Sequence, residues 1–159
     1  MEHKNYIQIL IQSLEKKADI LDKIKIKNEE QALLLSEEDP DIDKWDELTT
    51  SKGELVDEIN FLDEGFNEVY EHVREELQNN REAYKEEILH MQNLVRRLTE
   101  LSEVIQSGEA RNKEAAERHF ARLKKKGKVL TQSNRAAKLY KDNMQKVNYV
   151  DPQFFNEKH

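Results

Sequence analysis

The sequence predicts an all-α protein, an elongated antiparallel bundle of three long helices with a fourth C-terminal helical segment. Apolar residues recur at alternating intervals of three and four, a spacing that places them in one stripe along a helix. The clearest stripe comprises Leu55, Ile59, Leu62, Phe66, Val69 and Val73. Only four glycines and two prolines interrupt the 159 residues. Charged residues make up 37% of the chain, against about 25% in an average domain, which suits a thin bundle with much surface.

The first two helices are predicted to meet at a proline. Helix 1 is expected over about residues 6–36, and its looser stripe comprises Ile7, Leu10, Leu14, Leu21 and Ile24. Pro40 lies just beyond it, and proline disfavours a helical conformation of the residue before it. Either Asp41 or Asp43 can then cap helix 2, which is expected to continue to about residue 78.

The second reversal is predicted at Asn79–Asn80, with Asn80 capping a third helix that starts near Arg81. The stripe of helix 3 comprises Tyr84, Ile88, Met91, Val95 and Leu98. No strong stop signal follows until the lysine-rich residues 124–128. A fourth helical segment is expected over about residues 131–147, before the Asp-Pro pair at 151–152.

Helix 3 is expected to be the longest helix and, at about 1.5 Å per residue, to outrun its partners by roughly 20–30 Å. The predicted overhang covers residues 115–130. Its stripe is the weakest in the chain and comprises Ala116, His119 and Leu123. An uncovered stripe of this kind could bind the chain's own C-terminal segment, a second copy or another protein.

Folding the helices about residues 39 and 79 predicts which parts of the three stripes meet. Leu10 and Leu14 should lie level with Phe66 and Val69 and with residues 91–95.

At a second level, Asn28 and Lys52 should lie near residues 102–106 and form a polar layer within an apolar seam. Fixing the register of the helices is a common use of such residues. A polar ligand site is the less favoured interpretation.

The residues that usually carry chemistry are scarce. The chain has no cysteine, which excludes disulfides and thiolate chemistry. The nearest metal-binding pattern is Glu87-x-x-His90, but Ile88 and Met91 occupy the seam and so place His90 on the outside. The glycines are isolated, so the chain lacks a phosphate-binding loop. We therefore expect no metal site, no cofactor and no enzymatic activity.

Two observations bear on the location of the protein. The first ten residues lack the basic stretch and apolar core of a signal peptide. No apolar run approaches the roughly 20 residues that cross a membrane as a helix. We expect a cytoplasmic protein that does not insert into membranes.

The net charge of −7 is unevenly distributed. Residues 36–64 contain 12 acidic and 2 basic residues, whereas residues 111–146 contain 12 basic and 3 acidic ones. These segments are interpreted either as solvated faces that attract each other, or as a basic segment that meets an acidic partner or nucleic acid. Nucleic acid is the weakest alternative, because the basic run lacks interleaved aromatic residues for base stacking.

The C-terminal segment continues the spacing of three and four, through Leu130, Ser133, Ala137, Tyr140, Met144 and Val147. Ala136 and Ala137 allow a close approach of helices, and Met144 offers an adaptable contact. The stripe could lie against the helix of a client protein or pack on helix 3. We therefore divide the chain into a bundle, residues 1–130, and a C-terminal helix and tail, residues 131–159.

A set of short motifs follows one another along most of the chain. In order they read KGELVDEINFLDEGF (52–66), YKEEI (84–88), IQ (105–106), EARN (109–112), SN (133–134), AAKLY (136–140) and FFNEK (154–158). By their order and by the total length of the chain, they resemble the FlgN-type flagellar export chaperones.

This resemblance implies a small, cytoplasmic, all-helical chaperone. Its clients would be the hook–filament junction proteins, held by their C-terminal helices and escorted to the export gate. The residues expected to bind the client or the export gate are Leu123, Leu130, Ala136, Ala137, Tyr140, Met144, Phe154 and Phe155. The alternative function is that of a coiled-coil structural or adaptor protein that associates with itself, with a homodimer as one form.

Overall fold

The computed structural model of the chain describes residues 2–125. They form three α-helices, α1 (Glu2–Leu35), α2 (Ile42–Asn79) and α3 (Lys85–Lys125). No strand occurs within the described residues, and α3, with 41 residues, is the longest helix, as predicted. The predicted fourth helix, residues 131–147, lies outside the described residues.

The link between α1 and α2 follows the predicted proline break. Asp41 is the N-cap of α2, with an extended backbone (φ −74°, ψ 112°). Its carboxylate Oδ1 accepts hydrogen bonds from the backbone N–H of Asp43 at 2.9 Å and of Lys44 at 3.4 Å. Asp41 therefore takes the role that the sequence left open between two aspartates. Helix α1 begins four residues earlier than expected, at Glu2.

The turn between α2 and α3 differs from the prediction. Helix α3 begins at Lys85 and not near Arg81, because Asn80 ends α2 instead of starting α3. The backbone N–H of Asn80 donates to the carbonyl oxygen of Glu76 at 2.9 Å, and its side-chain amide donates to the Glu76 carboxylate at 3.0 Å. Residues 81–84 form a tight turn, in which the N–H of Ala83 donates to the carbonyl of Asn80 at 3.0 Å.

Helix α1 packs closely against both other helices, whereas no Cα atom of α2 lies within 8 Å of a Cα atom of α3. The short reversals make α2 antiparallel to α1 and α3. Helices α2 and α3 therefore meet only through long side chains.

The main core runs along most of the bundle and is made by the three predicted stripes. Leu10, Leu14, Phe66, Met91 and Val95 are all buried in this one cluster, in agreement with the predicted layer. Val69 is half-buried against it.

An ion pair and a second polar contact flank the same level of the bundle. Lys17 of α1 pairs with Asp63 of α2 at 2.7 Å. His90 of α3 lies 3.7 Å from Glu15 of α1, so His90 is on the outside of the helix, as predicted.

The predicted overhang is wrong for residues 115–123. Ala116, His119 and Leu123 are buried instead of uncovered. The reason is that the first turns of α2 and the α1–α2 link reach this level and cover the stripe. Residues 126–130 of the predicted overhang lie outside the described residues.

Candidate functional site

A buried polar layer crosses the three helices near one end of the bundle. This is the end at which α3 finishes, at Lys125. Lys52 of α2 and Glu109 of α3 form an ion pair, with Nζ and Oε1 2.6 Å apart and both side chains only 1% exposed. The Lys52 ammonium also donates to Oδ1 of Asn28 in α1 at 2.9 Å. One lysine therefore connects all three helices.

Further hydrogen bonds extend the polar layer. The Asn28 amide donates to the carbonyl of Ile105 at 3.3 Å, which confirms the predicted level for Asn28. The partner of Lys52 on α3 is Glu109, three residues beyond the predicted range of 102–106. The Asn112 amide donates to the carbonyl of Asn28 at 3.0 Å. The Gln31 amide donates to the hydroxyl of Thr49 at 3.0 Å.

Burying the charges of the polar layer carries a desolvation cost in free energy. Burial lowers the pKa of Lys52 below its ordinary value, against the opposing attraction of Glu109. The second carboxylate oxygen of Glu109 has no hydrogen-bond partner among residues 2–125. A buried ion pair of this kind contributes little net stability but strongly favours one register, because a shifted helix would leave a buried charge unpaired.

Glu109, like Gln31, Thr49 and Asn112, was not predicted to belong to the polar layer. It continues the spacing of α3 through Ser102 and Ile105 to Asn112, so its position in the seam was readable from the sequence. The signal is weak, because a glutamate is almost never fully buried unless it is paired.

Beyond the polar layer lies a second, smaller apolar cluster, which we call the end cluster. Its buried members are Leu34, Trp45, Leu48 and Ala116, with Leu35 and Phe120 packed against them. The rings of Trp45 and Phe120 meet edge to face, with centroids 6.2 Å apart. This geometry suits the quadrupoles of two aromatic rings and joins the start of α2 to the last turns of α3.

A polar contact fastens the last turns of α3 to the α1–α2 link. The guanidinium of Arg122 donates to the backbone carbonyl of Glu38 at 2.7 Å. It also lies 2.8 Å from Nδ1 of the buried His119. Because a guanidinium can only donate, Nδ1 accepts in this contact. His119 is thus a packed histidine at the α3 end.

The predicted binding residues fall into two groups. Leu123 lies in the last turns of α3 and is buried in the three-helix body, with 7% of its surface exposed. The other seven lie outside the described residues, and their role stays a prediction: Leu130, Ala136, Ala137, Tyr140, Met144, Phe154 and Phe155.

His72 and the acidic side chains around it were predicted to lie on a solvated face. His72 is exposed, and its ring stacks on Tyr6 with centroids 5.0 Å apart. Within residues 2–125, no three histidine, aspartate or glutamate side chains are grouped so that they could hold a metal ion. None of the three described helices is long and apolar enough to span a membrane.

Comparison with known proteins gives one match. A family model described as FlgN protein matches residues 1–148. The match covers the three helices, the polar layer and the C-terminal segment as far as Tyr140 and Met144. No curated protein and no solved structure matches the chain.

Proposed function

This chain belongs to the FlgN family of flagellar export chaperones, and on that premise we propose that it holds hook–filament junction proteins by their C-terminal helices. It keeps them from assembling early and escorts them from the cytoplasm to the export gate. FlgN is a chaperone family, which fits the expectation that the chain is not an enzyme.

The observation that carries the proposal is the extent of the family match. It spans residues 1–148 and so includes the segment 131–147 as well as the three-helix body. Within the described body, most apolar stripe residues are buried against one another. The body is then suited to serve as a rigid support, and the client-binding stripe is assigned to the C-terminal segment.

In this division of roles, Tyr140 is the main anchor. In the helix predicted for residues 131–147, it would share a face with Ala137 and Met144, three before and four after it. An aromatic ring beside small residues buries a large area at low conformational cost, as binding anchors commonly do. Leu130, Ala136, Phe154 and Phe155 would extend the contact, and Leu123 would hold the start of the segment on the body.

The proposal is tested with Tyr140→Ala in the full chain. Titration calorimetry would measure binding to the C-terminal helix of a junction protein and, separately, to the export gate. We expect the loss of the ring to weaken one or both by about 1–3 kcal/mol. The melting temperature should not change, because the core described above involves residues 7–123.

Two control variants accompany this measurement. Tyr140→Phe keeps the ring and should retain most of the affinity. Leu33→Ala removes an apolar side chain that is 71% exposed on α1 and should leave both affinities unchanged. If Tyr140→Ala alters neither affinity but lowers the melting temperature sharply, Tyr140 belongs to the core, and the assignment of the binding stripe is wrong.

A further inference from the structure

A cationic groove lies along the turn before α3 and the first turns of that helix. It encloses about 460 Å³ and is lined by Arg81, Lys85 and Arg96, with Ile88 and Leu89 as its apolar part. Leu89 is 52% exposed. Glu82 is the acidic residue of the lining, and it lies 4.0 Å from Lys85 in a pair that is almost fully exposed. The groove therefore offers positive charge around an apolar surface.

A surface of opposite character lies on α2, which we call the Phe61 stripe. Phe61 is 77% exposed, more than any other large apolar side chain of the described residues. Exposed carboxylates surround it at helical spacings of three, four and seven: Glu54, Asp57, Glu58, Glu64 and Glu68. No lysine or arginine occurs between residues 53 and 73. The Phe61 stripe is thus an exposed aromatic side chain surrounded by negatively charged ones.

The groove and the Phe61 stripe are matched in size and charge. The stripe extends over residues 54–68 and the groove over residues 81–96, which is roughly 20 Å in each case. Phe61 would lie against the exposed side chain of Leu89, and the flanking carboxylates would meet the three cations. Both surfaces lie mainly on regular helix and are therefore formed before any contact.

The two surfaces of one molecule cannot meet each other. The contacts Lys52–Glu109 and Glu76–Tyr84 fix the register of α2 against α3. In that register Phe61 lies level with about residue 100, roughly 18 Å along the bundle from Ile88. Only another molecule can bring the stripe to the groove.

We propose that two copies of this chain pair about a two-fold axis, each seating its Phe61 in the cationic groove of the other. Each copy supplies one stripe and one groove, so the contact is made twice and closes at the dimer. The pairing uses the turn end of α3, away from the end cluster, and does not depend on which client the C-terminal segment holds.

Sedimentation velocity of the full chain tests the pairing directly. We expect a reversible dimer at tens of micromolar that weakens between about 0.05 and 0.5 M salt, because exposed charge pairs are screened. A monomer at about 200 µM in low salt, where even a weak contact would be populated, would overturn the proposal. Growth beyond the dimer would overturn the two-fold arrangement.

The apolar part of the contact is tested with Phe61→Ala. The dimer dissociation constant should rise about tenfold or more, as for a central aromatic anchor. Leu33→Ala, which removes a similarly exposed apolar side chain from α1, is the matched control and should leave the constant unchanged. A dimer that is equally tight in both variants would show that Phe61 is not in the interface.

Exchanging the charges gives the sharpest test. One variant carries Asp57→Lys, Glu58→Lys and Glu64→Lys, which make the stripe net positive, and the other carries Lys85→Glu and Arg96→Glu, which make the groove net negative. Each should be monomeric alone, because its stripe and groove then carry the same sign. Mixed in equal amounts, they should form a heterodimer in which both contacts are again complementary. Failure to pair on mixing, with melting temperatures intact, would refute the assigned surfaces.

Discussion

At the scale of single residues, Lys52 is the side chain on which the three helices converge. Its ammonium donates hydrogen bonds to Glu109 at 2.6 Å and to Asn28 at 2.9 Å, and the side chains of Lys52 and Glu109 are each only 1% exposed. Removing one charge of a buried pair leaves the other charge buried without a partner. Replacing both residues with apolar ones of similar size removes the desolvation cost of both charges.

We predict that Lys52→Met alone lowers the free energy of unfolding by about 3–5 kcal/mol. The double variant Lys52→Met, Glu109→Leu should be as stable as the parent or more stable by up to about 4 kcal/mol. Urea denaturation of the parent, both single variants and the double variant would measure the coupling. Additive losses would contradict a coupled buried pair.

The two phenylalanines of α2 provide a matched comparison. Phe66 is buried in the main core, whereas Phe61 lies on the surface, five residues away. Phe66→Ala should cost about 3–5 kcal/mol, as for a large core side chain, while Phe61→Ala should remain within about 0.5 kcal/mol of the parent. Chemical denaturation at low protein concentration gives both values. A Phe66→Ala variant as stable as the parent would disprove its place in the core.

At the scale of the helices, the start of α2 depends on one carboxylate. Asp41 Oδ1 accepts from two backbone N–H groups of the first turn, groups that would otherwise lack a partner within the helix. Asp41→Ala should lower the free energy of unfolding by about 0.5–2 kcal/mol, and Asp41→Asn should restore most of it. Asp43→Ala, two residues later, is the control. An equal loss in both alanine variants would contradict the assigned cap.

The helices themselves were predictable because each seam repeats at three and four over many turns. Phe66, Met91 and Val95 could be placed in one layer by counting from the two reversals. This counting works because short links leave little freedom in register. The polar layer at Asn28 and Lys52 was predictable for the same reason.

Two predictions were wrong: the start of α3 at Arg81 and the uncovered stripe at Ala116 and His119. Asn80 could cap the end of α2 or the start of α3, and in the structure its hydrogen bonds to Glu76 place it at the end of α2. The cover over Ala116 and His119 comes from Trp45 at the very start of α2 and from the contact of Arg122 with the link. Whether the stripe at Ala116 and His119 is covered depends on the path of the α1–α2 link. The spacing of residues along the helices does not predict that path.

At the scale of the whole molecule, the proposed division at residue 130 leads to a prediction for a shortened chain. A chain ending at Thr131 keeps the main core, the polar layer and the end cluster. Its melting temperature should therefore lie within about 4 °C of that of the full chain, while binding to a junction-protein helix should be lost. Circular dichroism melts and calorimetry measure the two effects. A fall of about 10 °C or more would mean that residues 132–159 contribute to the core.

The end cluster has one further consequence for how this protein can be observed. Trp45 is the only tryptophan of the chain, it is 1% exposed, and it belongs to the end cluster and not to the main core. Indole fluorescence is sensitive to the polarity around the ring, so its emission reports on the α1–α2 link and the last turns of α3 alone. The main core has no tryptophan and therefore contributes no indole emission. The natural sequence thus carries a local optical probe at the end of the bundle from which the C-terminal segment continues.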